Sequence, residues 1–202
     1  MSSQAKPPKN WPSDVHFINS QRFHSSVTTT ARAFVQGPQT KTHEADTLAR
    51  APSLVVIRRI TEPSHPACGQ YGLFASKKIP PRTHLIDYLG EVHCDDRPHS
   101  DYDISLHRFQ DGVNIGSDAN TMGNDARFVN DYRGVRHKPN VEFRDRRTQS
   151  GELRMSVWSL TEPVKKGEEL VVSYGKAWWQ ARLASSDPEE DPEDVKVQYC
   201  QC

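Results

Sequence analysis

No run of about 18 apolar residues occurs anywhere in this 202-residue chain, so no helix is expected to cross a membrane. The first ten residues, MSSQAKPPKN, have no apolar stretch of the kind a secretory signal needs. Net charge is missing too, with 26 basic residues against 26 acidic ones. That withholds the broad positive field on which nucleic-acid binding usually depends, and a DNA or RNA partner is not expected. Cysteine is scarce. Cys68, Cys94, Cys200 and Cys202 show no framework spacing, which suits a reducing, intracellular compartment. Apolar residues make up 35 % of the chain and its mean hydropathy is -0.77, too little for all of it to pack, so part is expected to stay unpacked.

The apolar residues that are present come in short runs. Residues 1–52 are rich in Ser, Thr, Pro and Gln, with Trp11, Phe17 and Phe34 scattered among them. They read as a largely disordered arm. The alternative is an extension docked on the domain, for which residues 15–18 offer a short strand. A folded domain is expected over 53–184. It opens on the β-branched run 54–57, closed by Pro63 and Pro66, and continues with strands at 71–75, 85–92, 101–106 and 112–116. Asp118 is a fitting N-cap for a brief helix reaching Phe128. After 141–143 comes a charged turn, 144–151, then alternation at Leu153, Met155 and Val157. A strand at 169–174 and a helix at 176–184 complete the domain. Many short strands with little helix make the fold mainly β. Residues 185–202, six acids against Lys196, read as a solvated acidic tail.

Two segments carry most of the chemical information. Gly123-Asn124-Asp125-Ala126-Arg127-Phe128-Val129-Asn130-Asp131 is followed by Pro139-Asn140 and the apolar run 141–143, then downstream by GEELVVSYG at 167–175. Together they resemble the hallmark segments of the SET-domain family of protein-lysine methyltransferases, over roughly residues 54–183. The resemblance implies the family's fold of several small curled β-sheets with short helices. In it a C-terminal segment threads the loop before it, an exception to the rule that chains stay unthreaded; the partners here would be 127–140 and 167–175. It also implies S-adenosyl-L-methionine as methyl donor and a lysine of a protein or peptide as acceptor. Histone tails are the family's common target, and a histone substrate implies a nuclear rather than cytoplasmic setting.

The site residues follow from the resemblance. Gly72, with Leu73 and Phe74, matches the Gly-x-Gly turn whose backbone meets the cofactor's methionine end, where a missing side chain permits close approach; Gln70 stands in place of the earlier glycine. Tyr88 matches the aromatic lining the lysine channel, catalytic together with Tyr174, and Tyr102 one that reaches cofactor or channel from the next strand. A single tyrosine is by default a core residue with a satisfied hydroxyl; two at matching positions favour function. Arg127, Phe128 and Asn130 match the run Arg-Phe-x-Asn-His, in which the Asn, donor and acceptor at once, helps hold the cofactor's amine and adenine. Asp131 replaces the His and adds a carboxylate on the adenine side.

Tyr174, before Gly175, matches the tyrosine that orients the lysine amine and accepts weak C–H···O contacts from the methyl group. Glu168 and Glu169 read as anchors of the loop rather than acid-base groups. Trp178, with Trp179, matches an aromatic pair near the cofactor or the channel mouth. In relatives a hydroxyl near the amine limits how many methyl groups are added. The channel positions that would carry it are Phe143 and Val172, and neither has one, so a di- or trimethylated lysine is expected. Cys200 and Cys202 resemble the opening of a zinc segment but supply two of the four ligands a structural zinc takes, and no metal is expected. The alternative function is a catalytically inactive SET-fold module that binds a peptide. Nothing in the sequence speaks to oligomeric state.

Overall fold

The computed structural model describes residues 6–38, 53–176 and 178–180, and the chain divides into two compact units after Val172. In chain order the first unit holds β1 (His16–Phe17), β2 (Arg22–Phe23), α1 (Thr29–Gln36), β3 (Val55–Arg59), β4 (Tyr71–Ala75), β5 (His84–Tyr88) and β6 (Glu91–His93). It continues with β7 (Asp103–Arg108), β8 (Asn114–Asp118), β9 (Met122–Gly123), a 3-10 turn (Asp125–Phe128), β10 (Asn130–Asp131), β11 (Val141–Arg147), β12 (Leu153–Ser159) and β13 (Val171–Val172). These strands form five small sheets: β1-β9, β10-β13, β11-β12-β5, β2-β6-β8-β7 and β3-β4. The mainly β, SET-type architecture is thus what the chain adopts. Among the described residues no helix is long and apolar enough to cross a membrane.

Residues 6–38 are not a disordered arm. β1 lies parallel to β9, β2 adds in parallel to β6, and α1 lays Ala31 and Val35 on Val92, Leu106 and Ile115. Thr28 caps α1 by accepting the Ala31 N–H on its Oγ1. The composition is polar, but of its apolar residues Val15, Ile18, Val27, Ala31 and Val35 fall at buried positions, and sheet edges already in place satisfy the backbone of the short strands. The alternative of a docked extension is the one realised. Residues 39–52 and 181–202, with the acidic tail, Cys200 and Cys202, lie outside the described residues.

The expected strand 85–92 is broken in two. Asn124 occupies the break, accepting the Leu89 N–H (3.2 Å) and donating to the Asp87 carbonyl (2.8 Å), so β5 and β6 join different sheets. Asp118 does not cap a helix. It ends β8, and its carboxylate accepts from Ser100 Oγ (2.7 Å) and the Asn120 N–H (2.9 Å), while between Asp118 and Phe128 the helical residues are those of the single 3-10 turn. The charged residues 144–147 continue β11 rather than turning, because Arg146 finds a buried carboxylate partner in Asp87. The expected strand 169–174 shrinks to β13.

β13 is the threaded segment. It runs parallel to β10, with Asn130 opposite Val171 and Asp131 opposite Val172. Asn140 takes it from the other end of the same loop, donating its N–H to the Val171 carbonyl (3.1 Å). Just before β13, Leu170 donates to the Leu73 carbonyl (2.8 Å) and ties the segment to β4. Leu170, Val171 and Val172 are fully buried.

Candidate functional site

Asn130 is where β4, β10 and the threaded segment meet. Its Nδ2 donates to the Tyr71 carbonyl (3.3 Å) at the start of β4 and to Glu169 Oε1 (2.9 Å). The other Glu169 oxygen, Oε2, is 2.9 Å from His65 Nε2, with the two side chains 8 % and 10 % exposed. His65 Nδ1 accepts the Ala67 N–H (3.0 Å), which assigns the ring hydrogen to Nε2 and makes His65 the donor to Glu169. Gly72 has to be glycine for this cluster. A Cβ there would stand 2.7 Å from Glu169 Oε1, 3.0 Å from Phe74 Cε2 and 3.1 Å from Ile60 Cδ1, and a carboxylate held at both oxygens cannot swing away. Glu169 is the anchor the sequence suggests. His65 is not legible there, since loop 61–70 carries only turn signals.

Tyr88, Tyr102 and Phe143 come together. β5 ends on Tyr88, which is 3 % exposed; its hydroxyl donates to the Tyr102 carbonyl (2.7 Å) and its ring meets Phe143 edge-on, centroids 5.9 Å apart at 87°. Phe143 sits in β11 opposite Val157. Just behind Tyr88, Asp87 takes hydrogen bonds from Arg146 (2.8 and 2.6 Å), Arg154 (3.1 Å), His84 (2.8 Å) and Ser156 (2.7 Å). Burial alone would raise the Asp87 pKa, but the hydrogen bonds from His84, Arg146 and Ser156 and the Arg146 charge hold it well below the usual carboxylate range.

The remaining expected site residues are firmly held. Leu73 is fully buried and Phe74 half-buried, with the Arg58 guanidinium 5.3 Å from its ring. Arg127 is buried, donating to the Ala119 (2.9 Å) and Asn120 (3.3 Å) carbonyls, with its guanidinium over the Tyr102 ring (4.1 Å) and beside Phe128 (4.9 Å). Its described partners are thus the protein's own carbonyls and rings. Phe128 packs edge-on against Trp11 (5.4 Å) and Tyr71 (5.8 Å), bringing the N-terminal segment onto the expected cofactor side. The Asp131 carboxylate accepts from Arg133 Nη1 (3.1 and 3.0 Å) and the Arg133 N–H (2.9 Å), so the charge that departs from the family pattern is neutralised two residues on. Within the second unit, Tyr174 and Trp178 rings lie 4.8 Å apart and Trp178 and Trp179 rings 5.0 Å apart; Lys176 and residues 178–180 are helical.

The family model for the SET domain matches residues 70–175, just over half of the chain. The chain belongs to the SET-domain family. Among solved structures it is similar to ATXR5 in complex with histone H3.1 mono-methylated on R26, at 19 % identity over 80 % of this chain and 81 % of that one, TM-score 0.57; at that identity the likeness is one of fold. It is also similar to a chain of an active polycomb repressive complex 2 in the basal state, at 28 % identity over 64 % of this chain, TM-score 0.50. Only 16 % of that polycomb chain is covered. No curated protein sequence matches it.

Within this SET domain, three residues hold the site's loops although the sequence does not mark them out as site residues. His65 lies upstream of the matched segment. Asn124 bridges the break before Gly90. Asn140, visible only as half of the Pro139-Asn140 pair, donates from Nδ2 to the Glu169 carbonyl (2.8 Å) and accepts the Val171 N–H (2.9 Å) on Oδ1.

Proposed function

We propose that this chain is an S-adenosyl-L-methionine-dependent protein-lysine N-methyltransferase. The observation that carries the proposal is the polarity of the Asn130 amide: Nδ2 is spent on two acceptors, while Oδ1 accepts nothing from the described residues. Such an amide offers an acceptor and suits the ammonium of an amino acid. Gly72 beside it serves the same end indirectly, since the missing Cβ makes room for the Glu169 carboxylate that holds the amide. When bound, S-adenosyl-L-methionine supplies a methyl group activated by a positive sulfur.

The chain's own residues then have two tasks. A lysine near its ordinary pKa of about 10.4 is neutral in about one molecule per thousand at physiological pH, so exposing its lone pair costs about 4 kcal/mol. A dry, aromatic channel lowers that cost by disfavouring the ammonium form, and Tyr88 and Phe143 are the residues to line it. The Tyr88 hydroxyl is tied to the Tyr102 carbonyl, which fixes its ring. Tyr174 orients the amine for in-line approach, and the released proton passes to water. Glu168 and Glu169 are loop anchors in this scheme, with no acid-base role. The substrate is a protein or peptide lysine, a histone tail by the family's habit, which makes the nucleus the working compartment. The product is di- or trimethyl-lysine, because Phe143 and Val172 carry no hydroxyl.

Calorimetry with S-adenosylhomocysteine, followed by a labelled-methyl assay over core histones, free peptides and total lysate, tests this reading. Heat of binding and label on lysine are expected. Binding without label on any substrate would favour the inactive peptide-binding module, and the absence of both would remove the methyltransferase reading.

A further inference from the structure

We infer that His65 sets the polarity of the Asn130 amide, acting through Glu169 as a positioning residue for recognition of the cofactor's ammonium group. The inference rests on the cofactor reading above and goes beyond it, since His65 lies outside the matched segment 70–175.

An Asn side chain has two orientations of nearly equal shape, and hydrogen bonding alone chooses between them. Here the choice is made by two acceptors, the Tyr71 carbonyl and Glu169 Oε1. The flipped amide would set Oδ1 against a carbonyl and a carboxylate, lone pair to lone pair. The carbonyl is fixed by β4, but the carboxylate is a side chain whose orientation is held only while its second oxygen is satisfied. His65 supplies that donor, at 2.9 Å. A buried Glu169 without it keeps one donor for two oxygens and gains by rotating toward another. That rotation removes the acceptor that holds Nδ2, and Oδ1 is then no longer presented to a cation.

The ring is delivered by a firm loop. The Ile60 N–H donates to the Gln70 carbonyl (2.8 Å) and the Gly69 N–H to the Ile60 carbonyl (2.9 Å), closing its base. Inside it the His65 N–H reaches the Glu62 carbonyl (3.1 Å) and the Cys68 N–H the His65 carbonyl (2.9 Å). Pro66 packs so closely on Gly134 that a Cβ there would come within 2.5 Å of Pro66 Cγ, and Gly134 has φ +77°, a conformation that itself favours glycine. His65 is therefore held against Glu169 from outside the threaded region.

The experiment compares two ligands on the full chain by calorimetry: S-adenosylhomocysteine, and the same molecule lacking its α-amino group. His65→Phe removes the donor and keeps a ring. It is expected to weaken S-adenosylhomocysteine about tenfold, the scale of one charge-assisted hydrogen bond, and to leave the des-amino ligand within about twofold of wild type. His65→Gln, which can return an N–H to Glu169, should recover most of the discrimination. Equal weakening of both ligands would show a general structural role and overturn the inference, as would undiminished discrimination in His65→Phe. If His65→Phe does not fold, Glu169→Gln carries the test, and a ratio equal to wild type's overturns the inference. A wild-type chain that binds neither ligand defeats the cofactor reading itself, an outcome distinct from binding with discrimination untouched by His65.

Discussion

Replacing Asn140 by alanine removes two hydrogen bonds from the threaded segment and leaves the backbone course unchanged. Alanine keeps the main-chain bonds, Asn140 N–H to the Val171 carbonyl and Leu160 N–H to the Asn140 carbonyl. It loses the side-chain pair, Oδ1 from the Val171 N–H at 2.9 Å and Nδ2 to the Glu169 carbonyl at 2.8 Å. Val171 is 0 % exposed and Asn140 9 %, so water is poorly placed to replace either bond. Each buried group left unpaired costs about 1–3 kcal/mol, and the two together about 2–6 kcal/mol. Against a net stability of about 5–15 kcal/mol for a domain, that is a large fraction. Urea denaturation should show the loss as a lower midpoint at unchanged slope, and hydrogen exchange should show the Val171 amide losing protection. Asn140→Asp keeps the acceptor for Val171 but turns a carboxylate on the Glu169 carbonyl, and should lose at least as much. A stability change in Asn140→Ala below about 0.5 kcal/mol, the range of ordinary surface substitutions, with Val171 still protected, would refute the reasoning.

Tyr174→Phe is expected to abolish most turnover while leaving S-adenosylhomocysteine affinity close to wild type, read by the methyl assay and calorimetry side by side; near-normal turnover would exclude Tyr174 as the residue that orients the amine. Asp87→Asn leaves Arg146 and Arg154 without their shared carboxylate and should cost about 3–5 kcal/mol, as removing one partner of a buried ion pair does. Because the folded-state pKa of Asp87 is depressed, its contribution is complete above the ordinary value of 3.8 and is lost as pH falls below it; denaturation midpoints should drop more steeply in acid for wild type than for Asp87→Asn. Phe143→Tyr, adding a hydroxyl beside Tyr88, should shift an exhaustively methylated substrate toward fewer methyl groups by mass spectrometry; an unchanged product distribution would show that Phe143 is not the switch.

β4 was legible residue for residue because Tyr71–Ala75 combines strand formers with clear punctuation on both sides. The motif around Asn130 could be picked out because it is local. The docking of residues 6–38 was not, since strands of two residues have no periodicity to read, and β1 and β2 exist only because β9 and β6 offer them edges. The split of 85–92 failed for a related reason. Nothing in LIDYLGEV announces that a side chain 35 residues further on would take the Leu89 N–H. Pattern reading captures what a segment prefers by itself, and these segments were decided by partners distant in the chain.

The same distinction separates the carboxylates. Asp87 meets Arg146 at a separation of 59 residues and Glu169 meets His65 at 104, so neither pairing leaves a local trace: the sequence suggests Glu169 as an anchor without its partner and leaves Asp87 unassigned. Asp131 is different, since its partner Arg133 is two residues away, and the pattern Asp-x-Arg at the edge of β10 was available to be read. In that position a carboxylate departing from the family's histidine need not project a negative charge toward adenine: it receives both a backbone N–H and a guanidinium from Arg133, and its side chain is 6 % exposed. Its backbone stays paired with Val172 in β13. The substitution therefore weakens the case for a catalytically inactive module, because the compensating charge travels with it in the same short segment.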